Sequence, residues 1–214
     1  MKVVLEAPWL TLDLGCDMRV LSFAPCRPGL VNARQILWRE VRNRDLPPDL
    51  DAEAWLATEV ATRSPGAVAM MTSRDVATWS EARHGAAHAI ATVGLGNAER
   101  VGLRRVLTPA DLPDYGTINV AVVLDAALAD RAIIEALTIA AEARTAAIIE
   151  SRLMISTGIA TGTGTDCIAI AAIPGHDPYA GLHTAIGEAI GRAVYQTVLQ
   201  GARDWIRAQA TPTN

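Results

Sequence analysis

The segment from Ser156 to Gly191, STGIATGTGTDCIAIAAIPGHDPYAGLHTAIGEAIG, constrains this chain more than any other. A glycine–threonine loop (Thr161, Gly162, Thr163, Gly164, Thr165) ends at Asp166, runs straight into an apolar strand and is followed by a helix of small residues. Glycine has no Cβ, so such a loop can take positive φ and turn its backbone N–H groups toward a carbonyl or an anion. The GxxxxGK[ST] lysine is missing and a strand comes next, which separates the loop from a Walker A motif. The same residues also read as an ordinary tight turn. In the strand, Cys167, Ala169 and Ala171 alternate with Ile168, Ile170 and Ala172, so both faces are small or apolar. That pattern makes Cys167 a buried, inert thiol rather than a nucleophile.

The rest of the chain agrees with a core built from small side chains. Half of the 214 residues are apolar but only 4% are aromatic, so alanine, valine, isoleucine and leucine must fill the interior. Strands are expected at 19–24, 67–71, 86–93, 118–124 and 166–173, each short and bounded by glycine, proline or asparagine. Helices are expected at 32–41, 52–62, 74–83, 130–151 and 182–208, with Asn32, Asp51 and Ser73 as N-caps. Pro47-Pro48 and the stretch from Pro109 to Gly116 mark loops, and Thr211 to Asn214 is expected to fray. A helix-length spacer between 67–71 and 86–93 would allow a parallel crossover. The sum is an α/β (or α+β) fold: one domain over residues 1–214, a mixed sheet of about five or more strands covered by helices, and a long C-terminal helix.

A net charge of −4 argues against sequence-independent nucleic-acid binding. The local cluster of Arg34, Arg39, Arg42 and Arg44 reads as a solvated helix face. Three cysteines, an odd number without CxxC spacing, fit neither a disulfide framework nor a zinc site and suit a reducing compartment. Glu6, Pro8 and Asp13 interrupt any signal-peptide core, and no apolar run approaches the roughly 18 residues of a membrane span. A soluble, cytoplasmic protein is expected, and homo-oligomerisation is left open.

Several polar residues can carry chemistry. Glu135, Thr138, Glu142 and Thr145 share one face of the 130–151 helix, facing either water or a polar cavity. His183 is read into the first turn of the last helix, where the dipole favours the neutral imidazole. Glu188 lies five positions on and need not face it. Gly187 and Gly191 in that helix point to close approach of a backbone or a bulky ligand. Glu81, His84 and His88 imitate a metal spacing, but Gly85 interrupts a continuous helix and no fourth ligand is evident, so no metal site is expected. Asp166 reads as a cap of its own loop, or as a general base or orienter of a histidine. Asn97, Thr117 and Asn119 sit at glycine-flanked strand boundaries, as loop caps or ligand-binding groups.

Five colinear pieces carry a resemblance: AVAMMTSRDV (67–76), ATVGLGNAERVG (91–102), GTINVAVVLDAAL (116–128), AAEARTAAIIE (140–150) and TGIATGTGTDCIAIA with YAGLHTAIGEAIG. Together they resemble the adenosylcobinamide amidohydrolase family of corrinoid salvage. Arg144 stands where the family pattern expects a lysine, and SFAPCRPG (22–29) replaces a more glycine-rich turn. The resemblance implies hydrolysis of the amide joining the aminopropanol arm to the corrin ring. The resemblance carries no catalytic assignment; from the residues themselves, water attack assisted by Asp166 or His183 is expected. Loop residues Thr161 to Thr165, with Asn97, Thr117, Asn119, Glu142, Thr145 and Glu188, would bind substrate. No protein-bound metal or nucleotide is implied, because the corrinoid carries its own cobalt. A non-catalytic corrinoid binder and a phosphate- or nucleotide-binding enzyme are the alternatives.

Overall fold

A computed structural model describes residues 1–47, 49–103 and 116–210. The loop from Pro109 onward and the tail from Thr211 fall almost wholly outside those residues. In chain order the strands are β1 (Lys2–Glu6), β2 (Trp9–Ser22), β3 (Gly29–Glu40), β4 (Val68–Thr72), β5 (Ser80–His84), β6 (Ala87–Val93), β7 (Ala98–Glu99), β8 (Ile118–Leu128), β9 (Met154–Ile155), β10 (Gly158–Ile159), β11 (Gly162–Thr163) and β12 (Cys167–Pro174). The helices are α1 (Ala52–Arg63), α2 (Asp130–Ser151) and α3 (Ala185–Ala210). The fold is mixed α/β, as expected from the sequence.

The main sheet has eight strands in the order β4-β3-β2-β12-β8-β6-β5, with β1 against β2. Parallel pairs occur where a helix connects neighbours: β3 to β4 through α1, and β8 to β12 through α2. The other neighbours run antiparallel. Residues 67–71 and 86–93 are therefore not crossover neighbours. The register of β2 on β3 breaks between Asp13 and Met18, where β3 moves only from Gln35 to Ala33. Gly15, at φ +84°, takes the left-handed conformation inside that bulge. Bulges bend strands, and here the bend divides the sheet into two limbs. One limb holds β1, the first half of β2, the second half of β3 and β4. The other holds the remaining halves with β12, β8, β6 and β5.

Alternation along the strands assigns each face to a different layer. Val120, Val122, Ile168 and Ile170 pack against α2 and α3. Ala121, Val123, Cys167, Ala169 and Ala171 face the other limb and meet Leu10, Leu12, Trp38 and Met70. The outer side of that limb, Leu37 and Ala69, is covered by Leu56 and Val60 of α1. The order of layers is thus helix pair, sheet limb, sheet limb, helix.

Helix ends follow local chemistry. Asp51 accepts from the Ala54 N–H at 3.0 Å, which caps α1 as expected. Thr184 accepts from the Gly187 N–H at 2.9 Å and so caps α3. α2 closes at Arg152 in the left-handed conformation, φ 55°. Two expected helices are absent. Residues 32–40 lie in β3, where Ile36 and Trp38 face one layer and Leu37 the other, so the apolar run Ile36 to Trp38 served a doubly buried strand. Residues 74–83 form a short 3₁₀ turn, Val76–Thr78, followed by β5. Neither Asn32 nor Ser73 caps an α-helix. The arginine cluster is no helix face either: Arg39 lies over the rings of Trp9 and Trp55, 5.3 and 5.1 Å from their centroids.

Gly187 and Gly191, one helical turn apart, differ sharply. A Cβ on Gly187 would collide with the Gly181 carbonyl and come within 2.6 Å of the Ala180 carbonyl oxygen. A Cβ on Gly191 would meet only Ile139 Cγ2 at 4.0 Å. Gly191→Ala should therefore stabilise the protein by roughly 0.5–1 kcal/mol through helix propensity. Gly187→Ala should destabilise it by about 1–3 kcal/mol. Urea unfolding of the two variants checks both signs.

Candidate functional site

Where the two limbs meet, a cleft of ≈ 420 Å³ opens. Its walls come from the C-terminal ends of β3 and β4, the N-terminal ends of β8 and β12, the start of α1 and the loop after β2. The floor is polar but uncharged: Thr72, Ser73, Thr117, Asn119 and Thr165, with Cys167 beside them. Among the described residues that line it, charge is confined to Arg42 and Glu53, both exposed. Arg42 reaches the carboxylate of buried Glu40 at 3.1 Å.

Asn119 is 1% exposed and its orientation is set by one strong contact. Its Nδ2 donates to the Met71 carbonyl at 2.6 Å, which ties β8 to the end of β4. The opposite amide orientation would set two carbonyl oxygens against each other. Among the described residues Oδ1 has only the Thr117 hydroxyl, at 3.3 Å. That hydroxyl has one proton, and the Thr165 carbonyl at 2.6 Å is the better acceptor. Asn119 Oδ1 therefore keeps accepting capacity at the floor. One residue beyond Met71, the Thr72 oxygen accepts from the Arg74 N–H at 3.0 Å, which leaves its own proton to donate. A donor and an acceptor thus stand on neighbouring residues of the two limbs.

Asp166 lies behind this floor rather than on it. Its side chain is 8% exposed and forms an ion pair with Arg144 of α2. Oδ1 accepts from the Ile118 N–H at 3.1 Å and from the Thr163 hydroxyl; Oδ2 accepts from the Thr163 N–H at 3.0 Å. Burial works against the charge on Arg144 and lowers its pKa. The adjacent carboxylate is the counter-charge that makes that burial tolerable. The glycine–threonine loop is equally committed. Gly162 and Thr163 pair with β7, the Thr161 N–H donates to Glu99 and the Gly164 N–H to Asn97. The Thr163 and Gly164 amides are therefore turned inward and not toward a bound carbonyl or anion. Asn97 reinforces the arrangement by donating to the Thr165 hydroxyl at 3.1 Å.

The structure brings Thr117, Asn119 and Thr165 together in the cleft and sends the other expected residues elsewhere. His183 is exposed and precedes the cap of α3, so it is not in the first helical turn. Ala180, three residues before it, donates to Glu135 at 2.6 Å, whereas Asp166 pairs with Arg144 on the same helix. At 1.5 Å per residue those two anchor points on α2 stand roughly 13 Å apart. His183 and Asp166 therefore serve different ends of the helix pair. Glu188 pairs with Arg192 at 3.2 Å on the surface. Glu142 lines a separate open groove of ≈ 500 Å³ between α2 and α3, and Thr145 is half-buried on α2. Arg192, Tyr195 and Gln196 line that groove beside Glu142, together with Ile139, Ala143, Ala146 and Leu182. Glu81 and His88 hydrogen-bond across the β5–β6 hairpin at 2.6 Å. Strand alternation puts His84 on the opposite face from Glu81.

Thr72, Glu53 and Phe23 were not among the expected site residues. The first lay in the quoted MTSRDV piece and the last in SFAPCRPG, but the contact of their segments with β8 has no local signal. Cys167 is 4% exposed, and burial pushes its thiol up to about 12. Burial also raises Cys26, with Arg27 opposing more weakly.

A sequence profile described as adenosylcobinamide amidohydrolase matches residues 1–210, and the chain belongs to that family. It is accordingly a hydrolase acting on a carbon–nitrogen amide bond. No curated protein matches the chain. Among the described residues no helix is long and apolar enough to cross a membrane.

Two outcomes follow from the site's electrostatics. Asp166→Asn places an NH₂ group or loses a charge beside Arg144, and should cost about 3–5 kcal/mol as a broken buried pair. Adding Arg144→Met should recover part of that loss; a urea-derived cost below about 1 kcal/mol would show that the pair does not hold the loop. In the native protein at about pH 8, a thiol reagent should label exposed Cys16 quickly. Cys26 and Cys167 should react only after unfolding, as peptide mapping would show.

Proposed function

We propose that the chain hydrolyses the amide linking the aminopropanol arm of adenosylcobinamide to its corrin ring, in the cleft between the two sheet limbs. The family assignment supplies the reaction class. The pairing of Thr72 and Asn119 is the observation that carries the location. A secondary amide has one acceptor and one donor, and the Thr72 hydroxyl and Asn119 Oδ1 match them. The cleft volume of ≈ 420 Å³ suits an arm and its amide, so the macrocycle stays at the mouth.

The reaction needs a base for water, a donor for the developing oxyanion and an acid for the leaving nitrogen. Asp166 has its lone pairs taken by Arg144, Ile118 and Thr163, so the base we assign is Glu53. This carboxylate is exposed in the first turn of α1 and lines the cleft. Glu53 takes a proton from water as the water oxygen adds to the amide carbon. Thr72 donates to the oxyanion while Asn119 holds the amide N–H. Glu53 then returns the proton to the nitrogen as the C–N bond breaks, giving adenosylcobyric acid and aminopropanol. Asp166 acts on this chemistry only by holding Thr163 and the start of β8, and His183 takes no part. Each proton transfer has a side chain to serve it, so the reaction as drawn uses neither nucleotide nor protein-bound metal. The free thiols suit a cytoplasmic setting.

Mass spectrometry of adenosylcobinamide incubated with the purified protein, without ATP or added metal, should show adenosylcobyric acid and free aminopropanol. Glu53→Gln should lower kcat by roughly 10²–10⁴ while leaving the fold intact. A corrinoid spectral shift without aminopropanol would make the protein a binder. Near-normal turnover in Glu53→Gln would remove this residue as the base.

A further inference from the structure

Phe23 is the chain's single phenylalanine, and it is 52% exposed at the rim of the cleft. A chain with so few aromatic residues gains most by burying them, because each removes a large apolar area from water. Phe23 instead stands beside Pro25 and Leu46, above a floor of hydroxyls and one carboxamide. The cleft therefore has two zones, a polar floor sized for an amide and an apolar rim with a flat aromatic group. The flanking residues hold the rim in place: Ser22 pairs with both Gly29 and Ala169, Ala24 is 1% exposed, and Cys26 bridges to Ala69. Phe23 is thus an exposed side chain on an anchored backbone.

We infer that Phe23 is a specificity-determining residue, stacking on one face of the corrin ring while the amide reaches the floor. The inference rests on the proposed reaction at the same cleft. A corrin is a flat conjugated macrocycle with amide-bearing arms at its edge, so an arm can enter the cleft only if the ring lies across the rim. Phe23 binds the ring, which is unchanged between substrate and transition state. Such uniform binding appears in KM and not in kcat.

Steady-state aminopropanol release from adenosylcobinamide should show Phe23→Ala with KM raised roughly tenfold, the size of one aromatic contact, and kcat nearly unchanged. Phe23→Trp should restore KM. Phe23→Leu keeps apolar surface but no flat face and should stay impaired. An unchanged KM in Phe23→Ala, a loss confined to kcat, or full recovery by leucine would each overturn the stacking role. If the wild-type protein releases no aminopropanol, the hydrolytic reading falls. Spectral titration with adenosylcobinamide then decides the platform alone: roughly tenfold weaker binding by Phe23→Ala supports it, and equal affinity overturns it.

Discussion

The bulge in β2 between Asp13 and Met18 is the feature on which the rest of the architecture depends. Without it, β2 and β3 would continue as one ribbon and leave two faces to cover separately. With it, the sheet turns on itself, and Leu10, Leu12 and Trp38 of one limb meet Ala121, Ala169 and Ala171 of the other. The small residues on β8 and β12 make that approach possible, because close packing leaves no room for larger side chains at every position. The same strands bury isoleucine and valine under α2 and α3 on their opposite face. Closure of the limbs also brings the end of β4 against the start of β8, and the cleft lies at that seam.

Polar groups take over where apolar packing ends, and they are held by two kinds of contact. Across the seam, Asn119 ties itself to the Met71 carbonyl. Behind it, Asp166 joins the start of β8, the glycine–threonine loop and Arg144 of α2 in one network. The second contact is electrostatically demanding, since both charges lie mostly out of water. A buried pair of this kind gives little net stability over an apolar isostere, yet losing one partner is expensive. Its contribution is better understood as geometric. It sets where the loop, and with it Thr165, stands relative to the floor.

The sequence was most legible where one element satisfied its own pattern. α2 occupies the expected 130–151 interval, β8 contains the expected 118–124 strand, and β12 covers all of 166–173 but its first residue. It was least legible in β3 and around Val76 to His84, where mixed apolar and polar residues suited a helix or a strand equally and tertiary pairing decided. The candidate site divides in the same way. Thr117, Asn119 and Thr165 were readable because glycines flank them in their own segments. Thr72 and Glu53 come from the other limb, and only the bend in β2 brings them near; Phe23 follows Ser22, which pairs with Ala169 of β12 in the same limb, but is remote from β8 in sequence. His183 and Asp166 were joined on chemistry alone, and the intervening length of α2 keeps them apart.

The distribution of charge gives the cleft its chemical character. A carboxylate or ammonium at the floor would bind charged arms and would need costly desolvation each time a neutral amide entered. In the proposed reaction Thr72 and Asn119 instead form hydrogen bonds with the neutral amide at little net expense. The charged groups among the described lining residues, Arg42 and Glu53, are exposed at the solvent edge. Arg144 and Asp166 neutralise one another behind the floor and add little net field to it. In the proposed reaction, a floor without charge among the described residues, a charged edge and an aromatic rim suit a neutral amide on a large ring better than an anionic or phosphorylated ligand.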